Sequence, residues 1–278
     1  MLACTPHPEL GTVVYRHQSV DLATCKRGIG VVMRPKDEIT VRTQRDRQSI
    51  VFKGKVVLTI RERRTPNGLL PGPLFVDGLT PDRKWILYSV DPYGSASIPA
   101  DGLQMTALPV NGGRSHTLPL ALTYADYRAW CGNRLVMTAG GDRIAVHAKR
   151  LIVTGPPNWT SHRLVPDPRM SFGSLVCDGG GVIVQAQPSS TDANFFHTQW
   201  SLYRVGLDGS MTQLTHPPAG YADESPQVAG GVVYFVRSSH GNGKLYALQG
   251  GRLVGPLLSL GYSLGFYGHQ AWPYTVTR

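Results

Sequence analysis

The chain has 278 residues, 41% of them hydrophobic, with 32 glycines, 21 prolines and a formal net charge of +10. No apolar run approaches the length of a membrane-spanning helix, and the glycines and prolines punctuate short β-rich runs instead of forming a low-complexity tract. A helical membrane protein and a disordered chain are thereby excluded, and one compact domain over residues 1–278 is expected.

The opening MLACTPHP has no charged or apolar leader region, yet Leu2, Ala3 and Cys4 look like the tail of a lipoprotein cleavage box. Cys4 is therefore either a lipidation site or a partner for Cys25, since connectivity does not follow from sequence. Val13 to His17 and Val20 to Thr24 read as two strands that lack partners before them.

Residues 30–64 read as a β-sheet unit (DEITVRTQ, SIVFKGK, VVLTIRER) and hold most of the positive charge. Between Lys26 and Arg64 twelve Lys or Arg stand against four acids, a local excess of +8. Its basic patch comprises Arg34, Lys36, Arg42, Arg45, Arg47, Lys53, Lys55, Arg61, Arg63 and Arg64. One reading is a solvated outer strand whose charges prevent edge pairing. The other is a surface for an anionic partner: a small anionic ligand, an anionic envelope polymer, lipid headgroups or an acidic protein. No nucleic-acid motif accompanies the charge, so sequence-specific nucleic-acid binding is not expected.

From there a phrase repeats. Trp85 to Tyr88 is a short apolar strand behind a Pro81–Asp82 turn, and equivalents begin at Leu135, Val182 and Val232, at steps of 50, 47 and 50 residues. Second strands are expected at Leu103 to Leu108, Ile144 to His147, Leu202 to Val205 and Leu245 to Leu248. Units of this period, built of strands and turns, imply radially repeated blades over 72–118, 120–155, 165–215 and 220–258. With the 30–64 unit, and a sixth blade made by the first strands and Leu264 to Thr277, the expected fold is all-β. It is a six-bladed β-propeller of four-stranded antiparallel blades, closed by pairing of N- and C-terminal strands. Cys131 and Cys177 precede the apolar strands of successive repeats and are expected as buried free thiols.

LTPDRKWILYSVD and YADESPQVAGGVVYFVRSSHGNGKLYAL resemble the repeat phrases of the TolB-like propeller family, over roughly residues 72–258. The resemblance implies a six-bladed ring, often extracytoplasmic, serving as a protein-interaction module or as the non-catalytic propeller of a larger enzyme. The N-terminal blade departs from the pattern, lacking the SPDG-like phrase. A prolyl-oligopeptidase-type peptidase, which needs an appended α/β-hydrolase domain, is not expected from a chain of this length.

Candidate ligand positions lie where first strands begin and in the loops joining second to third strands, which share one face of a propeller. The loop Pro188 to Trp200 offers Asp192, Asn194, Phe195, Phe196 and His197, either as a recognition surface or as local turns with the Phe pair packed down. The segment Asp91 to Pro99 reads as a plain lid. Asp126, Tyr127 and Arg128, Ser171 and Phe172, Asp223 and Glu224, and Tyr267 and His269 precede or open successive first strands and are expected around one axis. His240 is expected in a mouth loop. Asp223 and Glu224 either attract a cation or basic segment, or anchor the neighbouring blade through backbone N–H groups. CxxC and HxxxH are absent, and no metal, cofactor or nucleophile constellation is expected. The favoured reading is a non-catalytic interaction or ligand-binding module at the cell envelope; the rival is a lactonase-like hydrolase or lyase using axial carboxylates, histidines and a divalent cation.

Overall fold

The computed structural model describes residues 4–29, 38–61, 63–65, 68–70, 73–91, 102–190, 199–263, 265, 267–270 and 272–277. Strands β1 (Thr12–Tyr15), β2 (Gln18–Asp21) and β3 (Arg27–Ile29) begin the first blade. Blade 2 holds β4 (Ile39–Gln44), β5 (Arg47–Phe52) and β6 (Lys55–Arg61), after which β7 (Arg63–Thr65) and β8 (Gly68–Leu70) pair as a hairpin of their own. Blade 3 contains β9 (Leu74–Leu79), β10 (Trp85–Val90), β11 (Gly102–Pro109) and β12 (His116–Leu122). Blade 4 follows with β13 (Arg128–Cys131), β14 (Arg134–Ala139), β15 (Arg150–Thr154) and β16 (His162–Arg163). Blade 5 is β17 (Met170–Cys177), β18 (Gly181–Pro188), β19 (Ser201–Gly206) and β20 (Met211–Gln213). Blade 6 is β21 (Ala222–Ala229), β22 (Val232–Ser239), β23 (Asn242–Gln249) and β24 (Arg252–Tyr262).

The last strand, β25 (Tyr274–Thr277), returns to pair antiparallel with β1, with Val13 opposite Val276 and Tyr15 opposite Tyr274. Head and tail of the described chain thus share one sheet in the order β25-β1-β2-β3. The tail contributes one strand, so the first blade is three parts N-terminal and one part C-terminal. First strands of consecutive blades pack together, β13 on β17, β17 on β21 and β21 on β25, as a six-bladed propeller requires.

The second strand of a blade has a sheet neighbour on each side and a blade against each face, so apolar residues suit both faces. In β10 Ile86 faces blade 2 with Ile50 and Leu74, while Leu87 joins Leu135 and Met137 of blade 4. In β18 Val182 and Val184 meet Val136 and Val153, while Ile183 turns to Phe235. In β22 Tyr234 and Val236 turn the other way, onto Val13, Tyr15 and Val20. These clusters fill the seams 2–3, 3–4, 4–5, 5–6 and 6–1. Among the described residues no apolar cluster joins blade 1 to blade 2.

The Pro81–Asp82 turn forms as expected: Thr80 Oγ1 accepts from the Trp85 N–H at 3.1 Å and Asp82 Oδ1 from the Lys84 N–H at 3.1 Å. Other expectations are corrected. Residues 144–147 are a turn, and the strand paired with β14 is β15. The β2 strand stops at Asp21, where the carboxylate takes the Ala23 N–H at 2.9 Å and the backbone carbonyl takes the Cys25 N–H at 2.7 Å, bending the chain. Cys131 and Cys177 form a disulfide rather than free thiols, and a second joins Cys4 to Cys25. Equivalent positions at the ends of neighbouring first strands bring the Cys131 and Cys177 Cα atoms to 5.4 Å. The Cys4 sulfur, bonded to Cys25, is not available to a lipid.

The closing segment is held by a close approach. A Cβ on Gly243 in β23 would fall 2.4 Å from the Trp272 ring, so only glycine lets that indole come so close to the strand. Gly243→Ala is expected to cost about 1–3 kcal/mol through overpacking, read as a lower denaturation midpoint at unchanged m-value.

Candidate functional site: a buried polar group at the channel mouth

Three first strands and the segment before β25 begin at one end of the ring. A 3-10 turn, Ala125–Tyr127, precedes β13 and sets the Asp126 carboxylate 2.9 Å from His269 Nε2. Blades 4 and 1 face each other across a ring of six, so this contact requires the segment before β25 to reach over the axis. His269 is 4% exposed, stacked on Tyr124 at 3.8 Å between centroids and edge-on to Tyr127 at 5.2 Å. Desolvation acts to raise the Asp126 carboxyl, but the charge and hydrogen bond of His269, with contributions from its own backbone and Ser174, hold it below its ordinary value.

Glu224 and Asp223 open β21 and are both buried. Glu224 Oε2 lies 2.7 Å from Ser238 Oγ and accepts the Trp272 indole N–H at 3.3 Å; Ser238 Oγ is also 3.0 Å from Gln270 Oε1. Glu224 Oε1 has no hydrogen-bond partner among the described residues, and neither has the Tyr127 hydroxyl. Burial pushes Glu224 from 4.5 up to about 7, against the pull of Ser238, Trp272 and His269 and with a further upward push from Asp223. Burial, together with Asp126, Tyr124 and Glu224, pushes the Tyr127 phenol well above its ordinary value, so it remains a hydroxyl donor. Asp223 makes a two-point pair with Arg237, Nε to Oδ1 at 2.7 Å and Nη2 to Oδ2 at 2.8 Å. The acidic pair is held by side chains, not by the backbone N–H groups that one of its two sequence readings named.

The turn at 144–147 caps this end. The Ala145 N–H donates to the Tyr267 carbonyl at 2.9 Å, and Ser171 Oγ donates to the Ala145 carbonyl at 3.1 Å. Ala145 and Val146 pack with Trp200 and Ala222, and Arg143 lies 5.3 Å from the Tyr267 ring centre. Buried Lys149 staples the turn from beneath, its ammonium donating to the Ile144 and His147 carbonyls at 2.7 and 3.0 Å. Desolvation lowers the Lys149 amine from 10.5 to about 8, partly offset by Asp142. Neither this cap nor Lys149 was expected as part of the mouth; the signal available was a lone lysine between two apolar runs.

Of the other expected positions, Ser171 and Phe172 are buried in β17. Arg128 is committed to an ion pair with Asp77 of β9, tying blade 4 to blade 3. Desolvation nevertheless raises the Asp77 carboxyl against the pull of Arg128. His240 is exposed in the β22–β23 turn with Nδ1 3.0 Å from Ser239 Oγ. Asp192, Asn194, Phe195, Phe196 and His197 lie outside the described residues, as does most of the Asp91 to Pro99 segment. In the basic patch Arg42, Arg45, Arg47, Lys53, Lys55 and Arg61 are exposed, Arg34 and Lys36 lie outside the described residues, and Arg63 and Arg64 are placed as backbone in β7. Among the described residues no group of three or more His, Cys, Asp and Glu could hold a metal, and no helix is long and apolar enough to cross a membrane.

Chemically, the group combines a carboxylate–imidazole pair, a second acid with a pKa near neutrality and a phenol donor. Ser174 meets the carboxylate of Asp126, and among the described residues no hydroxyl or thiol is placed against the His269 imidazole in the manner of a catalytic triad. No family model and no curated protein matches the sequence. Among solved structures the chain is similar to a prolyl endopeptidase at 11% identity, over 96% of this chain and 39% of that one, with a TM-score of 0.50. It is also similar to TolB from Acinetobacter baumannii (14% identity, 94% and 68% covered, TM-score 0.44) and to puromycin hydrolase (14%, 98% and 46%, 0.47). At such identities the likeness to the endopeptidase carries the fold alone, and the chain spans about two-fifths of the endopeptidase it matches.

Proposed function

We propose that this chain is a non-catalytic, TolB-like interaction or ligand-binding propeller that works outside the cytoplasm and receives its partner at the mouth built around Asp126, Tyr127, Glu224 and His269. The observation that supports it most is the pair of buried polar atoms, Glu224 Oε1 and the Tyr127 hydroxyl, left without partners among the described residues in a group assembled from different blades. Buried polar atoms without partners are costly and mark places where a bound group or water completes the set. The two disulfides favour an oxidising compartment, such as a periplasm or cell exterior.

The rival, a propeller hydrolase or lyase, draws support from one feature: an acid with a pKa of about 7 near a carboxylate–imidazole pair suits general acid–base work. A photo-cross-linking side chain at Arg143 or Tyr221, on the mouth end, should capture one discrete species from a cell-envelope extract. The same side chain at Asn133 or Asp208, on the opposite end, should not. Equal capture from both ends would overturn the placement of the mouth. Turnover of lactone or ester substrates that disappears in His269→Gln would decide for the enzyme.

A further inference from the structure

Blade 2 differs from the other five in two ways. Among the described residues each of the others has four strands and blade 2 has three, in the order β4-β5-β6. The chain leaving β6 continues into the β7–β8 hairpin, which forms a sheet of its own and does not pair with β6. Among the described residues nothing pairs with the outer edge of β6, so its N–H and C=O groups on that side have no ladder partner.

The two faces beside that edge are chemically distinct. Leu58 and Ile60 point with Ile50 toward blade 3 and are only partly buried at the margin of that cluster. On the opposite face Arg42, Ser49 and Thr59 form one cross-strand row and Gln44, Arg47 and Arg61 the next. This face turns toward blade 1 across the seam that has no apolar cluster. Arg42 and Arg47 have no ion-pair partner among the described residues, and Arg61 shares an exposed one with Asp46 at 3.3 Å.

We infer that β6 accepts an extended segment of a partner protein as the missing fourth strand of blade 2, and that this segment alternates apolar residues with Asp or Glu. Strand addition satisfies the edge through main-chain hydrogen bonds, while alternate side chains supply specificity. Apolar side chains of the added strand cover Leu58 and Ile60, and its carboxylates meet Arg61 and Arg47. A second copy of this chain does not fit: antiparallel pairing of β6 with itself sets Lys55 against Arg61, a like-charge contact across the ladder. The inference is independent of the mouth and of the reading proposed for it.

The test uses the whole chain and a blocked seven-residue peptide alternating valine and glutamate, matched to the length of β6. Fluorescence anisotropy measures binding, and hydrogen exchange locates it. The expected result is binding that slows exchange of the 55–61 amides by about tenfold and is lost in Lys55→Glu with Arg61→Glu. It is also lost when the central residue of the peptide is proline, which keeps the charge and removes a ladder donor. Equal binding of the proline peptide would reduce the surface to charge attraction alone. Amides of β6 already protected in the free protein, with no change on adding peptide, would mean that the edge is occupied, and either result overturns the inference.

Discussion

Glu224→Gln should make the protein more stable than the parent at pH 8 and nearly equal to it at pH 4.5, with the difference growing through the interval between. Glu224 carries a folded-state pKa of about 7 against 4.5 for the free group, because burial disfavours its anion more than Ser238, Trp272 and His269 favour it. Between those values the folded state keeps a proton that the unfolded state has released, so stability falls as pH rises through the window. A shift of this size corresponds to about 3 kcal/mol at full extent. The hydrogen bonds are consistent with a neutral acid: with the proton on Oε2, Glu224 donates to Ser238 Oγ, which donates in turn to Gln270 Oε1, and each hydrogen is used once. Glutamine keeps that shape and removes the titration. Denaturant midpoints measured for both proteins from pH 4.5 to 8 check the claim, since other titrating groups cancel in the difference. A difference that stays flat with pH would show that the folded protein does not hold the Glu224 proton toward neutrality and would overturn the claim.

The blades were legible because the central strands bury both faces: Trp85 to Tyr88 and the runs from Val182 and Val232 are apolar at consecutive positions and bounded by turns, which a helix of that length would not be. The same logic failed at Ile144 to His147. IAVH is a short apolar run like the strands before it, but Arg150–Thr154 fits the ladder beside β14, and the displaced run became a cap whose partners, Tyr267, Trp200 and Ala222, are distant in sequence. Repeat equivalence gave Asp126, Tyr127 and Glu224 a common end of the ring. It could not give the His269–Asp126 contact, which depends on a segment crossing the axis. The Cys131–Cys177 bridge had a readable signal: matched positions in successive repeats lie side by side when the repeats are blades. That blade 2 has three strands among the described residues was partly visible as the absence of the repeat phrase there. Its excess of Lys and Arg is plain in the sequence, but which seam those residues face requires the register of β4, β5 and β6.

Arg237→Met should be the most destabilising single change around the mouth. Asp223 is 0% exposed, and its two oxygens are held by one guanidinium at 2.7 and 2.8 Å across the β21–β22 ladder, where the two residues are direct partners. The same guanidinium lies 5.2 Å from the centre of the Tyr246 ring, so it has little freedom to leave. Removing the cation strands a buried carboxylate, for which about 3–5 kcal/mol is the expected cost. Replacing both residues, Asp223→Leu with Arg237→Met, removes the unpaired charge along with its partner and should return stability to within about 1 kcal/mol of the parent. Urea unfolding of the two single variants and the double variant forms the cycle; a loss below about 1 kcal/mol in Arg237→Met would show that solvent screens the pair. The consequence reaches the neighbouring acid. Asp223 already pushes the Glu224 carboxyl upward, and without Arg237 to neutralise it that push grows. In Arg237→Met the pH window in which Glu224 lowers stability should therefore move to higher pH, which links the structural ion pair to the proton affinity of the proposed binding site.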